Sequence, residues 1–309
     1  MPERSISLLA PRSDILQATT AMTTPQPVPL NWTRDDIEQR LMFRGGRYTT
    51  ANTWLSLLMG CILFVVFYAA LIPLKDTQFA KDFTHQGTIP YFTCFFAAWA
   101  IAILFLKSSK SKYQKRSLTY SVVPDQHDFV LSSATVDQVM EKIYATVDDP
   151  RHFVLFNRIV IALSNLKNLG QVGDVDDILR SQAENDESVT ETSYMLLGAF
   201  IWAIPVLGFI GTVLGLSYAI GGFGDVLQKT SSDMSAVKQE LQKTTAGLAM
   251  AFVTTLQALV AAMGIQIWMT FEKKGELEFL DECSSYCLRN VVNRLRLMPY
   301  EGGSNTGPE

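Results

Sequence analysis

Residues 204–216 read IPVLGFIGTVLGL, with one proline, three glycines and one threonine but no charge. In water, glycine and proline weaken a helix interior by about 1 and 3 kcal/mol per residue. Yet the stretch sits inside a longer uncharged run, Met195–Ile220. In lipid a helix must satisfy its own backbone, so both residues are tolerated, and small side chains mark places where helices approach closely. The stretch therefore reads as a membrane-spanning helix with one smooth face.

Three further runs, Thr53–Leu74, Ile89–Leu106 and Thr244–Phe271, are also long, apolar and free of Asp, Glu, Lys, Arg and His. Runs of eighteen or more such residues are the signature of transmembrane helices. The expected fold is an all-α integral membrane protein with four transmembrane helices and a helical cytoplasmic domain, its third and fourth spans continuing as long helices outside the membrane. Arg34, Arg40, Arg44 and Arg47 precede the first span, Lys107–Arg116 follow the second, and Lys273 and Lys274 follow the fourth. The connections 75–88 and 221–243 carry balanced charge. Positive flanks stay inside, so both termini and the middle segment are expected to be cytoplasmic.

The expected order along the chain has five parts. A cytoplasmic N-terminal segment (1–52) has a poorly ordered Pro-, Ser- and Thr-rich start, with a short helix beginning in NWTRDDIEQRL (31–41). A transmembrane hairpin (53–106) has spans 53–74 and 89–106. A cytoplasmic helical domain (107–194) follows, with FVLFNRIVIALSNL (153–166) as its buried helix because fourteen residues are too few to span. A second hairpin (195–271) has spans 195–220 and 244–271. A cytoplasmic C-terminal helix and tail (272–309) end the chain.

The last two spans differ in kind from the bulky first two. Gly198, Pro205, Gly208, Thr212, Gly215 and Ala219 recur at helical spacing on one face, overlapped by a Gly211, Gly215, Ala219 row. Thr244, Gly247, Ala251, Thr255, Ala258, Ala262 and Gln266 form a second stripe, about 33 Å long at 1.5 Å per residue. Such stripes serve helix packing within one chain; their continuity across the bilayer suits instead a central space shared by several copies.

Other signals are weaker. The acidic run from Asp174 to Glu191 reads as a solvated helix surface, with docking of a cytoplasmic effector as the functional alternative. The lysines and arginine of 107–116 read as an inside anchor touching anionic lipid. GGFGDVLQKT (221–230) lacks the order of a phosphate loop and reads as a turn. Cys283 and Cys287 share a helical face with no histidine near them in sequence, so no metal site is expected. No catalytic cluster is visible, and no enzymatic activity, cofactor or nucleic-acid partner is expected.

The segments AIPVLGFIGTVLGL (203–216) and LQKTTAGLAMAF (241–252) resemble two motifs of the MotA/TolQ/ExbB proton-channel family. The resemblance implies a proton-conducting stator subunit in the bacterial inner membrane. It further implies a homopentamer of this chain around two copies of a single-span MotB/TolR/ExbD-like partner that supplies an intramembrane aspartate. Thr212 and Thr244 match the family's pore-facing threonines, and Pro205 its proline in the third of four spans. With Thr255 these form the expected proton pathway, and Gly208, Gly211, Gly215, Ala219, Gly247, Ala251, Ala258 and Ala262 the helix-packing and lumen stripe. Two positions depart from the family pattern: Gln239, with Glu240 beside it, stands where ExbB-like members carry glutamate, and Val253 where the last span carries proline. A non-conducting oligomeric scaffold or sensor that presents a cytoplasmic platform is the alternative reading.

Overall fold

A computed structural model describes residues 29–41, 45–124, 131–132, 135–169, 172–228 and 234–295. The disorder expected of the first residues, and the end of the C-terminal tail, lie outside that set. The described residues are helical, with four helices long and apolar enough to cross a membrane. They form α1 (Thr53–Leu71), α2 (Gln78–Thr84), α3 (Ile89–Lys115), α4 (Val136–Thr146), α5 (Val154–Leu169), α6 (Val172–Ser193), α7 (Met195–Gln228) and α8 (Met234–Asn290).

Local chemistry sets several boundaries. Asn31 caps a one-turn helix, Trp32–Asp35, by accepting from the Arg34 N–H at 3.0 Å. Asn52 likewise caps α1 through the Trp54 N–H at 3.0 Å. The loop between the first two spans holds the short helix α2, begun by Thr77. The segment 221–243, read as a connection with a turn at 221–230, is a correction: α7 runs on to Gln228 and α8 starts at Met234. Nothing between Ile220 and Gln228 breaks a helix except glycine, which lipid-level helices tolerate.

α6 and α7 follow each other with one residue, Tyr194, between them. The Tyr194 N–H donates to the Glu191 carbonyl, a tighter turn, and its carbonyl accepts from the Gly198 N–H, both at 3.0 Å. α8 has 57 residues, about 85 Å at 1.5 Å per residue, against a hydrocarbon core of about 30 Å. Much of it therefore lies outside the apolar layer.

Two packed regions result. Among the spans, α3 lies against α7 and α8, and Trp99 and Phe96 pack on Phe200 with ring centroids 4.8 and 5.4 Å apart. Trp202 and Phe252 stay 71% and 66% exposed in the single chain, a surface that lipid or other membrane-embedded chains must cover. Beyond the spans, α4, α5, α6 and the end of α8 enclose a second core around Phe153, Phe156, Ile159 and Leu163. The 153–166 stretch is buried there, as its composition implies. Val136, Val139 and Ile143 of α4 point into this core, whereas Tyr144 faces out.

The N-terminal segment is stitched onto this second core. The Asp148 carboxylate accepts from the Trp32 and Thr33 N–H groups at 3.0 and 3.1 Å. Burial raises the Asp148 pKa, but the Trp32, Thr33 and Asp149 N–H groups and the Thr33 hydroxyl outweigh it, leaving the carboxyl below its usual range. A depressed folded pKa stabilises above the unfolded pKa, about 3.9, and is lost as pH falls through the folded value. Limited proteolysis of the 29–41 segment should therefore speed up several-fold below about pH 4, read with an acid-active protease near Trp32 and Leu41, and in Asp148→Ala at neutral pH, read with trypsin at Arg34 and Arg40.

Candidate functional site

The two small-residue stripes meet each other within one chain. A methyl group built on Gly208 would lie 2.5 Å from the Ala258 Cβ, and one on Gly215 would lie 2.8 Å from the Gly247 carbonyl oxygen. Gly247 meets the Gly215 carbonyl and Ala219 in the same way, and Gly211 meets Thr254. Gly208, Gly211, Gly215, Ala219, Gly247, Ala251, Ala258 and Ala262 are all buried in this seam. The stripes thus serve helix packing within the chain, and the two helices come so close that no space is left between them. Gly198, by contrast, has nothing within 4 Å and lies off the seam.

A side chain at Gly215 has nowhere to go except into backbone. Gly215→Val should cost about 1–3 kcal/mol through overpacking, read as a lower unfolding temperature of the detergent-solubilised chain. Gly264→Ala, where nothing lies within 4 Å, should leave it unchanged; equal effects would refute close packing.

The seam has two flanks. One is covered by α3, whose Ile89 side chain approaches Gly211, and carries the buried Thr254, bonded back to the Met250 and Ala251 carbonyls. The other is left open and carries Pro205, Thr212 and Thr255, all half-buried. Here the Thr212 and Thr255 hydroxyls hydrogen-bond each other across the seam. Thr212 also reaches the Gly208 and Ala251 carbonyls at 3.3 and 3.2 Å. Thr255 reaches the same two carbonyls at 3.1 Å each.

Each hydroxyl has one proton to give. Either Thr212 donates to Thr255 and Thr255 to a carbonyl, or the order is reversed. The two orders use the same acceptors, so the pair can turn its polarity around without moving a heavy atom.

The other sequence-predicted residues stand apart from this pair. Thr244 is half-buried and bonds the Ala219 carbonyl at 3.4 Å. Pro205 lies inside α7 and, lacking an N–H, leaves the Ile201 carbonyl without its helical donor. Along α7 the Pro205, Thr212 and Ala219 levels follow at steps of about 10 Å, seven residues each. The polar groups thus mark three levels of one span.

Sequence reading missed a set of buried ion pairs where the spans leave the apolar layer. Lys107 and Glu276, 0% and 3% exposed, pair at 3.3 Å. Lys107 also donates to the Ser193 hydroxyl at 2.8 Å and lies 4.1 Å from the Tyr194 ring centroid. Lys110 pairs with Glu38 at 2.6 Å, and Glu38 also accepts from the Gly46 and Asn52 N–H groups. Arg158 pairs with Asp186 at 2.7 Å and donates to Ser284. Lys107 and Lys110 are thus not lipid anchors, and Asp186 is not part of a solvated acidic face. Asp177, Glu184, Glu187 and Glu191 do lie on the surface. Cys283 and Cys287 are free thiols packed in the second core.

Searches of curated proteins and of solved structures returned no significant match. Residues 156–275, from α5 through the apolar part of α8, match the sequence model of the MotA/TolQ/ExbB proton channel family. That segment contains the whole Thr212–Thr255 seam, and over it the chain is similar to the MotA/TolQ/ExbB proton channel family.

Proposed function

We propose that the chain is a proton-conducting stator subunit in the bacterial inner membrane, with both termini cytoplasmic. Five copies surround two copies of a single-span MotB/TolR/ExbD-like protein and convert proton flow into mechanical work. The observation that carries this reading is the Thr212–Thr255 hydroxyl pair on the open flank of a seam inside the family-matching segment.

Proton transfer across a bilayer needs a titratable group, and intramembrane carboxylates are rare and functional. The four spans offer none, so a partner's aspartate is the carrier. Thr212 and Thr255 accept from its protonated form or donate to its ionised form, and the seam glycines hold the two helices close enough to keep the pair joined. Thr244 serves one level away. A closed seam would equally suit a non-conducting scaffold; the half-buried threonine pair on the open flank favours conduction.

The test is co-expression with a single-span protein encoded beside this chain, followed by native mass measurement of the purified complex. Five copies to two are expected, and a stable dimer or tetramer of this chain alone would overturn the assembly.

A further inference from the structure

Away from the seam, three distant segments converge on an open cleft of about 610 Å³: Asp35 and Arg40 ahead of the first span, α3 from Phe105 onward with Arg116 just past its end, and Trp268 of α8. Its lining changes in character along the membrane normal. Phe105 and Trp268 belong to the apolar runs. Lys112 and Arg116 lie seven and eleven residues beyond Phe105, about 10 and 16 Å along the helix. Ser108 and Ser109 occupy the level between.

The charges are unbalanced. Lys107 and Lys110 on the same helix are buried in ion pairs, but among the described residues Arg40, Lys112 and Arg116 have no carboxylate partner within 4 Å. Lys112 and Arg116 stand four apart, where like charges repel. Among the described residues Asp35 is the only acid lining the cleft, which leaves it two positive charges in excess. Tyr113, a mostly buried side chain beside Asp35, also lines the cleft, with the Arg116 guanidinium 5.8 Å from its ring centroid. Cations in excess above an apolar floor describe a site for an amphiphilic anion, not for a freely soluble one.

We propose that this cleft binds the phosphate headgroup of an anionic membrane phospholipid. Arg40, Lys112 and Arg116 hold the phosphate, the serines meet the glycerol level, and the acyl chains descend past Phe105 and Trp268, where an amphipathic ring suits the interface. The lipid then ties the N-terminal segment to α3 and α8. This assignment holds whether or not the chain conducts protons.

The test is lipid retention by the purified full-length chain, measured by native mass spectrometry after adding equal amounts of phosphatidylglycerol and phosphatidylcholine. The wild type should retain phosphatidylglycerol about 25-fold over phosphatidylcholine, since each of the two excess cations contributes about 1 kcal/mol near an anionic group, close to fivefold. R40Q/K112Q/R116Q should lose the preference. K273Q/K274Q, which removes charge from the same membrane end outside the cleft, should keep it, as should R40K/R116K. If the triple variant elutes aggregated, K112Q alone is read, with about a fivefold loss expected. Equal retention of both lipids by the wild type would overturn the proposal. So would an undiminished preference in the glutamine variants, an equal loss in K273Q/K274Q, or displacement of phosphatidylglycerol by millimolar inorganic phosphate.

Discussion

Lys107→Met should lower the stability of the detergent-solubilised chain by about 3–5 kcal/mol, because it leaves the buried Glu276 carboxylate without its cation. Burial pushes the Glu276 carboxyl up, and the Lys107 ammonium, followed by the Tyr194 hydroxyl, is what opposes it. Removing both members is different. Lys107→Met/Glu276→Leu replaces an ion pair by apolar volume and should recover most of the loss, since desolvation consumes much of what a buried pair gains. The pair joins α3, the α6–α7 junction and α8, so the single variant should also expose the Tyr194 region to protease. Denaturant unfolding followed by circular dichroism gives both numbers. A double variant as unstable as the single one would mean that the positions matter for shape and not for charge.

Thr212→Val/Thr255→Val should cut proton flux about 10- to 100-fold, from the roughly 1.5–3 kcal/mol that a hydrogen bond to a charged group contributes. Valine keeps the shape of threonine, and the Gly208 and Ala251 carbonyls retain their helical donors, so the seam itself should hold. Hydroxyl bonds between spans average only about 0.6 kcal/mol. Either single change removes one end of the relay, so each single variant should cost nearly as much as the double. Thr254→Val is the control: its hydroxyl lies on the flank facing α3, and flux should be unaffected. Matching losses in Thr254→Val and Thr212→Val would place the pathway elsewhere or reduce both to packing defects.

The fold was legible wherever composition alone decides it. Four uncharged runs gave the four spans, and the fourteen-residue stretch at 153–166 was too short and too polar at Asn157 and Arg158 to be a fifth. The site was legible in part. Helical spacing put Thr212 and Gly208 on one face of α7 and Thr255 and Ala258 on one face of α8, but spacing within a helix does not say what that face meets. Only the fold shows that the two faces close on each other and leave the threonines at the edge.

The ion pairs were hidden for a related reason. Lys107 continues the buried row Ala100, Ile103, Leu104 on α3, and Glu276 continues the row Ala251, Ala258, Ala262 on α8. Helical phase carried past the end of each span would have turned both inward. Reading them as charges flanking a membrane turned them outward. Asp186 follows the same logic, sharing its face with Val175, Leu179 and Thr190.

Proton flux into vesicles carrying this chain, alone and with its single-span partner, bears most directly on a relay that handles an acid belonging to another polypeptide. The chain alone should pass no protons above the lipid background. The complex should conduct, and should fall silent when the partner's intramembrane aspartate becomes asparagine. Conduction by the chain alone would contradict the account.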